Sequence, residues 1–213
     1  MNDAYPLRPF RVTDTNLLCD IIRHYPLATL MTGRAGSARL TLVPLLVDRP
    51  GDATPDIALT GHIDSNNEQT QHLQPGSPVS FQFLGPDSYA SPDLYPDPQL
   101  PGWLYVSVQG DGEVAECIEA DELRDVLVRS TTDFGSSDQR FALLKSDPRV
   151  DQFLPYIHGF RIRVARISGI AKLAQDKGHE DSAIAWQYLA AQTNRSSAQL
   201  FERLAALGLN LED

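Results

Sequence analysis

Few residues of this chain have the type and spacing that a metal site needs. The candidates are two cysteines and five histidines: Cys19, Cys117, His24, His62, His72, His158 and His179. Neither cysteine forms a motif with the other or with a pair of histidines, as zinc sites and disulfide frameworks require. The histidines at 62 and 72 are ten residues apart, which matches no preferred metal geometry. The sequence therefore predicts no metal site.

The common motifs of catalysis and phosphate binding are also missing. The phosphate loop Gly-x-x-x-x-Gly-Lys, the dinucleotide motif Gly-x-Gly-x-x-Gly after a strand, His-Glu-x-x-His and Gly-x-Ser-x-Gly do not occur. Gly33 and Gly36 flank Arg34, and we interpret this spacing as a hairpin turn rather than a phosphate cradle. No residue emerges as a general acid or base.

The stretch from Thr60 to Asn67, which contains His62, allows two interpretations. Small polar residues follow a predicted strand here. The simpler interpretation is a strand end followed by a helix cap and a solvated turn. The alternative is the rim of a pocket whose backbone amides face an anion. Composition favours the first and leaves the second open.

Two aromatic residues, Trp103 and Tyr105, alternate on one face of a predicted strand. Paired aromatics of this kind are more often core or subunit contact than a ligand platform, and we favour that interpretation. Lys172 directly follows a later strand and is, taken alone, typical of a surface charge. These residues by themselves do not identify a function.

Apolar spacing predicts the elements that position these residues. A helix is expected from Thr13 to Tyr25, with Thr13 or Asp14 as its N-cap. Short apolar or alternating runs predict strands at 27–32, 39–47, 57–63, 78–84, 103–108, 113–118 and 160–167. Further helices are expected at 121–130, around Ile184, Tyr188 and Leu189, and around Leu200, Leu204 and Leu207.

Glycine and proline predict the turns. Residues 33–36 would close a first hairpin, and the Asp-Gly pair at Asp111 would close a second one within Gln109 to Gly112. Pro44 predicts an edge, bulge or bend in its strand. Residues 85–102 contain five prolines, so we expect a long loop that cannot run through a sheet. About seven strands with helices at the flanks favour a closed or partly open antiparallel barrel.

Composition limits the function classes. The chain has 213 residues, of which 42% are apolar and 22% charged, as in globular proteins. Its net charge of −10 argues against a surface that neutralises many phosphates, so direct nucleic-acid binding is not expected. No apolar stretch is long enough for a signal peptide or a membrane span. With two unpaired cysteines, a reducing cytoplasm is the expected location.

In order along the chain, short segments resemble the PaiB-type family, whose members are described as FMN-binding negative transcriptional regulators. The resemblance covers roughly residues 5–190. The matching segments are Ala28-Thr29-Leu30, Leu40 to Asp48, Leu59 to His62 with Asn67 and Gln69, Gly85-Pro86, Tyr89, Ser91-Pro92, Tyr95-Pro96, Pro101, Trp103, Tyr105, Val108, Gly159-Phe160, and Lys172-Leu173 with Gln175.

The resemblance implies a mainly β fold, the FMN-binding split barrel shared with pyridoxamine phosphate oxidases and flavin reductases, with flanking helices. It implies a barrel domain of residues 1–177 and a helical C-terminal extension of residues 178–213 packed on it. It also implies a homodimer with FMN in a groove between two subunits. By position, the phosphate side would involve Thr41, His62, Asn67 and Gln69, and the ring or the subunit contact would involve Trp103, Tyr105, Lys172 and Gln175.

The phosphate side departs from the family pattern. Ser65 stands where the family has an arginine that would meet the phosphate, and an acid, Asp64, stands beside it. Losing such a charge-assisted contact costs about 1.5–3 kcal/mol. We therefore expect FMN to bind about tenfold to a hundredfold more weakly, unless Arg34 or Arg39 supplies the charge.

Three more polar side chains of the family pattern are replaced, at Leu42, Gly102 and Leu104. Two functions follow from the resemblance. The first is a flavin-binding homodimer, either an FMN-dependent oxidoreductase or a flavin-linked transcriptional regulator acting through a partner protein or a metabolite. The alternative is a non-enzymatic regulatory or binding protein that has lost the flavin and uses the dimer groove for another small planar ligand.

Overall fold

The structure, a computed structural model, describes residues 6, 8–33, 37–48, 57–135 and 140–192. Arg34 and the helix expected around Leu200, Leu204 and Leu207 lie outside the described residues. Four helices and eight strands are present in the described ranges, together with short 3-10 turns. None of these helices has the length and apolar character of a membrane-spanning segment.

The elements follow one another in this order: β1 (Arg11–Val12), α1 (Thr15–His24), β2 (Leu27–Thr32), β3 (Arg39–Pro44), β4 (Leu46–Asp48), β5 (Ala58–Asp64), β6 (Pro78–Ala90), β7 (Gly102–Ile118), α2 (Ala120–Asp133), α3 (Pro148–Phe153), β8 (Ile157–Lys172) and α4 (His179–Gln192). The first hairpin, the N-terminal helix and the helix expected at 121–130 are confirmed. The helix α3 has no counterpart in the sequence prediction.

The strands form one sheet in the order β3-β2-β6-β7-β8-β5-β4, and β1 pairs with β8. β2 pairs antiparallel with β3 and β6, and β5 pairs antiparallel with β4 and β8. Pro44 ends β3, which lies at the edge of the sheet, and this confirms the prediction of an edge, bulge or bend at this proline. The Leu45 amide donates a hydrogen bond to the Pro26 carbonyl oxygen at 2.9 Å.

By its internal contacts the chain divides into two compact units. The central unit comprises Thr13–Phe83 and Ser107–Gly169. Its core includes the fully buried Leu30, Phe83 and Phe160. A second apolar cluster, containing Ile118, Leu123 and Val126, packs α2 in this unit.

The terminal unit comprises Met1–Val12, Leu84–Val106 and Ile170–Asp213. Its apolar cluster contains Tyr95, Leu104 and Ala174 together with Ala185 and Leu189 of α4. The division of the chain at residue 177 stays a prediction.

The hairpin expected at Gln109 to Gly112 is wrong, because β7 is one continuous strand of 17 residues. The glycines serve another purpose here. A Cβ on Gly110 would overlap the carbonyl oxygen of Arg166, and one on Gly112 would overlap that of Arg163. Glycine at both positions therefore permits β7 to lie close to the β8 backbone rather than to reverse direction.

The long loop expected over 85–102 is wrong for its first part, because β6 continues to Ala90. The pairing between β2 and β6 ends at Phe83. Pro86 therefore lies where β2 no longer takes a hydrogen bond from β6, and its missing N–H is tolerated. After Ala90 the chain leaves the sheet, and a short turn over Pro92–Leu94 begins with the Ser91 hydroxyl as its cap.

Candidate functional site

A groove of about 920 Å³ lies in the central unit, on the sheet face turned away from the core. Met31 on β2 is the register partner of Leu40 on β3 and of Ser80 on β6. These three side chains alternate along their strands with buried residues such as Leu30 and Phe81. The volume lies in the range of about 300–1,000 Å³ that is usual for small-molecule sites.

The groove combines apolar and uncharged polar side chains. Its apolar side chains are Met31, Leu40 and Ile167, and the buried Phe81 borders it from the core side. Hydroxyl and amide groups come from Thr29, Ser80, Gln82, Gln109 and Ser168. Such a lining can cover the faces of a flat ring system and satisfy polar groups along its edge.

A glycine lies on the β7 side of the groove. Gly110 lines it, and a Cβ at this position would lie 2.6 Å from Cζ of Phe81 as well as overlapping the Arg166 carbonyl oxygen. Glycine at position 110 therefore permits β7 to pack closely against Phe81 and the β8 backbone.

One cation and one anion line the groove, Arg166 and Asp111. The guanidinium donates from Nε to both carboxylate oxygens, at 3.2 and 3.1 Å, and its Nη2 lies 3.1 Å from Oδ1. These hydrogen bonds raise the pKa of Arg166 above its ordinary value. The two charges compensate each other at the rim of the groove, where the Arg166 side chain is 83% exposed and the Asp111 side chain 37%.

Three predicted site residues form a network behind the groove wall. The Asn67 side-chain amide donates to the Thr41 hydroxyl at 3.0 Å, and its oxygen accepts from the Gln69 amide at 2.9 Å. Gln69 is 1% exposed, and its Nε2 donates to the carbonyl oxygens of Leu30 and Arg39 at 3.1 and 3.3 Å. The buried Gln69 Oε1 has no hydrogen-bond partner.

This network holds the backbone on either side of the groove wall. Leu30 precedes Met31, and Arg39 precedes Leu40, so Gln69 fixes the carbonyl groups next to both lining residues. Thr41, Asn67 and Gln69 do not line the groove themselves. Their place as cofactor-binding residues stays a prediction.

The backbone amides at the end of β5 already donate hydrogen bonds to groups of the same chain. The Ser65 amide donates to the Tyr156 carbonyl oxygen at 2.9 Å, and the Asn66 amide donates to Oδ1 of Asp64 at 2.8 Å. The Asn67 amide donates to the Asp64 carbonyl oxygen at 3.0 Å. The structure therefore has a strand end followed by a capped turn, and not amides that face an anion.

His62 lies on a different part of the sheet surface. Its register partner on β8 is Gly159, where a Cβ would meet Leu123 of α2 at 2.8 Å. This face of β5 is thus covered by α2, and burial lowers the pKa of the imidazole. Within the described ranges, no hydrogen bond joins His62 to Asn67 or to the groove.

The terminal unit brings Trp103 and Lys172 together. Both line a cavity of about 150 Å³ that also includes Tyr95 and Lys177. The Trp103 indole N–H donates to Oδ1 of Asp87 at 2.9 Å. The Lys177 Nζ lies 5.2 Å from the centre of the Tyr95 ring. This cavity is smaller than the groove and is lined by other residues.

The last two predicted residues have structural surroundings of their own. Tyr105 is half-buried and lies on the same β7 face as Trp103. The Gln175 side chain closes a turn, since its oxygen accepts from the Leu173 amide at 2.7 Å and its Nε2 donates to the Ala171 carbonyl oxygen. The Gln175 amide is therefore occupied by the chain itself.

None of the eight predicted residues lines the groove, and its own residues were missed by sequence analysis. Three sequence signals touch the groove: the segment Gln109 to Gly112, which was interpreted as a turn, and the family segments that contain Thr29 and Leu40. In the described part of the chain, no three His, Cys, Asp or Glu side chains come together as metal ligands.

Two sequence comparisons locate the chain among known proteins. A family model described as "Putative FMN-binding domain" matches residues 4–166. The protein named protease synthase and sporulation protein PAI 2, from Bacillus subtilis (strain 168), is 26% identical over 195 residues, which are 91% of this chain and 92% of that protein.

Solved structures share the fold. The FAD and heme binding protein from Mycobacterium smegmatis gives a TM-score of 0.58 at 20% identity, covering 81% of this chain and 78% of that one. The flavocytochrome Anf3 from Azotobacter vinelandii gives 0.55 at 15% identity, covering 82% and 75%. These likenesses confirm the predicted split-barrel fold with flanking helices.

Proposed function

Because this chain belongs to the FMN-binding domain family that its resemblance to PaiB-type proteins predicted, we propose that it is a flavin-binding redox protein. The groove of the central unit is the proposed site of the flavin ring. The observation that carries the proposal is a lining that combines Met31, Leu40 and Ile167 with five uncharged polar side chains.

The groove fits one part of a flavin better than the other. The ring needs apolar walls and hydrogen-bond partners along its pyrimidine edge, and the lining provides both. A phosphate needs cationic or amide donors. Arg166 is already paired with Asp111, and the amides at the end of β5 are used by the chain. The residues therefore fit the ring and do not fit the phosphate.

The chain's share in the chemistry is binding and orientation. A bound flavin supplies hydride or single-electron transfer. Met31 and Leu40 would cover the ring and exclude water, while Ser80 and Gln82 would bind its polar edge. Thr41, Asn67 and Gln69 keep the strands that carry these side chains in place.

We propose a homodimer that uses the exposed face of β2 and β3. Leu27, Met31, Leu40 and Leu42 are all exposed on this face, with fractional exposures of 54, 40, 62 and 65%. An apolar surface of neighbouring strands is typical of a protein contact. A second copy is the proposed occupant, because the family resemblance implies a flavin groove between two subunits.

A second candidate function is a regulatory protein that binds another flat molecule in the same groove. The compensated charges of Asp111 and Arg166 favour it, since they leave no unpaired cation among the described lining residues. Regulation would then pass through the ligand or a partner protein rather than through DNA, because the chain carries a net charge of −10. No disulfide joins Cys19 and Cys117, which supports the proposed cytoplasmic location.

The first experiment is a titration of riboflavin, FMN and FAD with the purified protein, followed by flavin fluorescence and visible absorbance. We expect quenching and a shifted absorbance band for at least one flavin at tens of micromolar. If none of the three responds, the flavin function is overturned and the second candidate remains.

Two matched variants locate the site. Ser80→Phe places a ring in the groove, so we expect it to abolish flavin quenching. Ser88→Phe makes the same change on the same strand at a residue that does not line the groove, and it should leave quenching unchanged. Equal loss in both variants would argue against this groove as the site.

A further inference from the structure

The charge in the groove is already satisfied before any ligand enters. Of the side chains lining it, Arg166 and Asp111 are the ones that ionise, and both nitrogens of the guanidinium that face Asp111 lie 3.1–3.2 Å from its carboxylate. An incoming phosphate would have to share Arg166 with a fixed carboxylate. The repulsion between the two anions offsets the attraction of the guanidinium.

The end of β5, where the family pattern puts the phosphate, is also closed to anions. At the end of β5, Asp64 keeps a carboxylate at the surface and takes hydrogen bonds from the Asn66 backbone and side-chain amides at 2.8 and 3.0 Å. The amides of Ser65 and Asn67 donate to backbone carbonyl oxygens. Arg39, which could have supplied a cation, has Nη2 3.5 Å from Oε2 of Glu68.

We propose that the groove selects a flat heterocycle with an uncharged tail, of the riboflavin type, and that Asp111 is the residue that discriminates against a phosphate. This inference rests on the proposed function, since it takes the groove as the flavin site. The family pattern leads to the opposite expectation, a site for the phosphorylated FMN. Asp111 can oppose the binding of a phosphate because Gly110 and Gly112 bring this part of β7 against β8, where Arg166 and Arg163 lie.

The test compares the dissociation constants of riboflavin and FMN by fluorescence quenching at low and physiological salt. The wild-type protein should bind riboflavin at least as tightly as FMN. Asp111→Asn keeps an oxygen that can accept from Arg166 but removes the charge. It should improve FMN binding about tenfold while changing riboflavin binding less than about twofold, and the gain should shrink with salt.

Two further variants control for charge and for position. Glu113→Gln removes one negative charge from the neighbouring ion pair between Glu113 and Arg163. Neither residue of this pair lines the groove. Glu113→Gln should leave the ratio of the two dissociation constants unchanged. Arg166→Gln leaves Asp111 without its partner, so it should bind FMN more weakly than the wild-type protein does. Its dissociation constant for riboflavin should stay unchanged.

Each outcome decides one question. If riboflavin and FMN both fail to bind the wild-type protein, the inference is wrong, and the flavin function is wrong as well when FAD also fails to bind. If both bind and FMN is the tighter ligand, or if Asp111→Asn shifts both dissociation constants equally, the selectivity role of Asp111 is wrong and the flavin function stands.

Discussion

Gly110 and Asp111 illustrate how single residues set the properties of the groove. Gly110 permits β7 to lie against the β8 carbonyl groups, and Asp111 takes up the charge of Arg166. The first residue determines shape and the second determines charge. Both effects depend on tertiary neighbours that are more than 50 residues away along the chain, as the separation of 55 between Asp111 and Arg166 shows.

The close approach at Gly110 leads to a stability prediction. Gly110→Ala puts a methyl group onto the Arg166 carbonyl oxygen and Cζ of Phe81, so we expect the free energy of unfolding to fall by about 1–3 kcal/mol. Gly102→Ala is the control, because nothing lies within 4 Å of a Cβ there. Urea unfolding of the two variants measures the difference, and equal stabilities would contradict the prediction.

His62 leads to a pH prediction. Burial lowers the pKa of its imidazole below the ordinary value of 6.5, so the unfolded chain binds the proton first as the pH falls. Stability should therefore be highest above pH 6.5 and decrease as the pH drops towards the lower pKa of the folded state. His62→Gln should make this decrease shallower in urea unfolding at several pH values. An identical slope in both proteins would contradict it.

Helix starts show what a single cap contributes to an element. Oδ1 of Asp14 accepts from the amides of Asn16 and Leu17 at 2.8 and 3.3 Å at the start of α1. Glu119 precedes α2 and makes no such side-chain bond. The two helices thus provide a matched comparison within one chain.

The comparison gives an element-scale prediction. Asp14→Ala should lower the free energy of unfolding by about 1 kcal/mol, because two amides of the first turn lose their acceptor. Glu119→Ala should change it by less than about 0.5 kcal/mol. Thermal or urea unfolding tests both variants, and a larger loss at residue 119 than at residue 14 would overturn the assignment of the caps.

The helices and strands were largely predictable from the sequence, because their patterns depend on residues close together in the chain. Alternation at Val79, Phe81 and Phe83 and helical spacing in α1 depend on neighbours within a few residues. The errors occurred where tertiary packing decides. Asp111 followed by Gly112 has the signature of a turn, but the presence of β8 alongside makes the segment a straight strand.

The candidate site was less predictable than the elements. Its lining comes from five strands, and only the sheet register brings residues such as Met31, Ser80 and Arg166 together. The residues singled out by the family resemblance lie outside this lining, and Gln69 is connected to it through its hydrogen bond to the Leu30 carbonyl oxygen. A sequence pattern can mark such positions without revealing whether they touch the ligand.

At the scale of the whole molecule, charge and exposed apolar surface have opposite consequences. A net charge of −10 keeps molecules apart at long range, and salt weakens this repulsion. The exposed leucines of β3 favour association at short range. Dimerisation should therefore become stronger as the ionic strength rises.

The dimer proposal is tested with two leucines of equal exposure. Leu42→Lys adds a charge to the β2–β3 face without touching the groove lining, so it should convert the dimer to a monomer in sedimentation velocity. Leu144→Lys is the control, because this leucine is also 65% exposed and lies on a different segment. A wild-type monomer at tens of micromolar, or equal effects of the two variants, would contradict the proposal.

The close contact between β7 and β8 has a practical consequence for redesign. Substitutions at Met31, Leu40 or Ser80 can change the width and the polarity of the groove, because these side chains lie on the open face of the sheet. At Gly110 any larger residue would have to displace main chain. Libraries that vary Met31, Leu40 and Ser80 and keep Gly110 should yield folded variants with altered ligand preference. Libraries that randomise Gly110 should yield mostly insoluble protein.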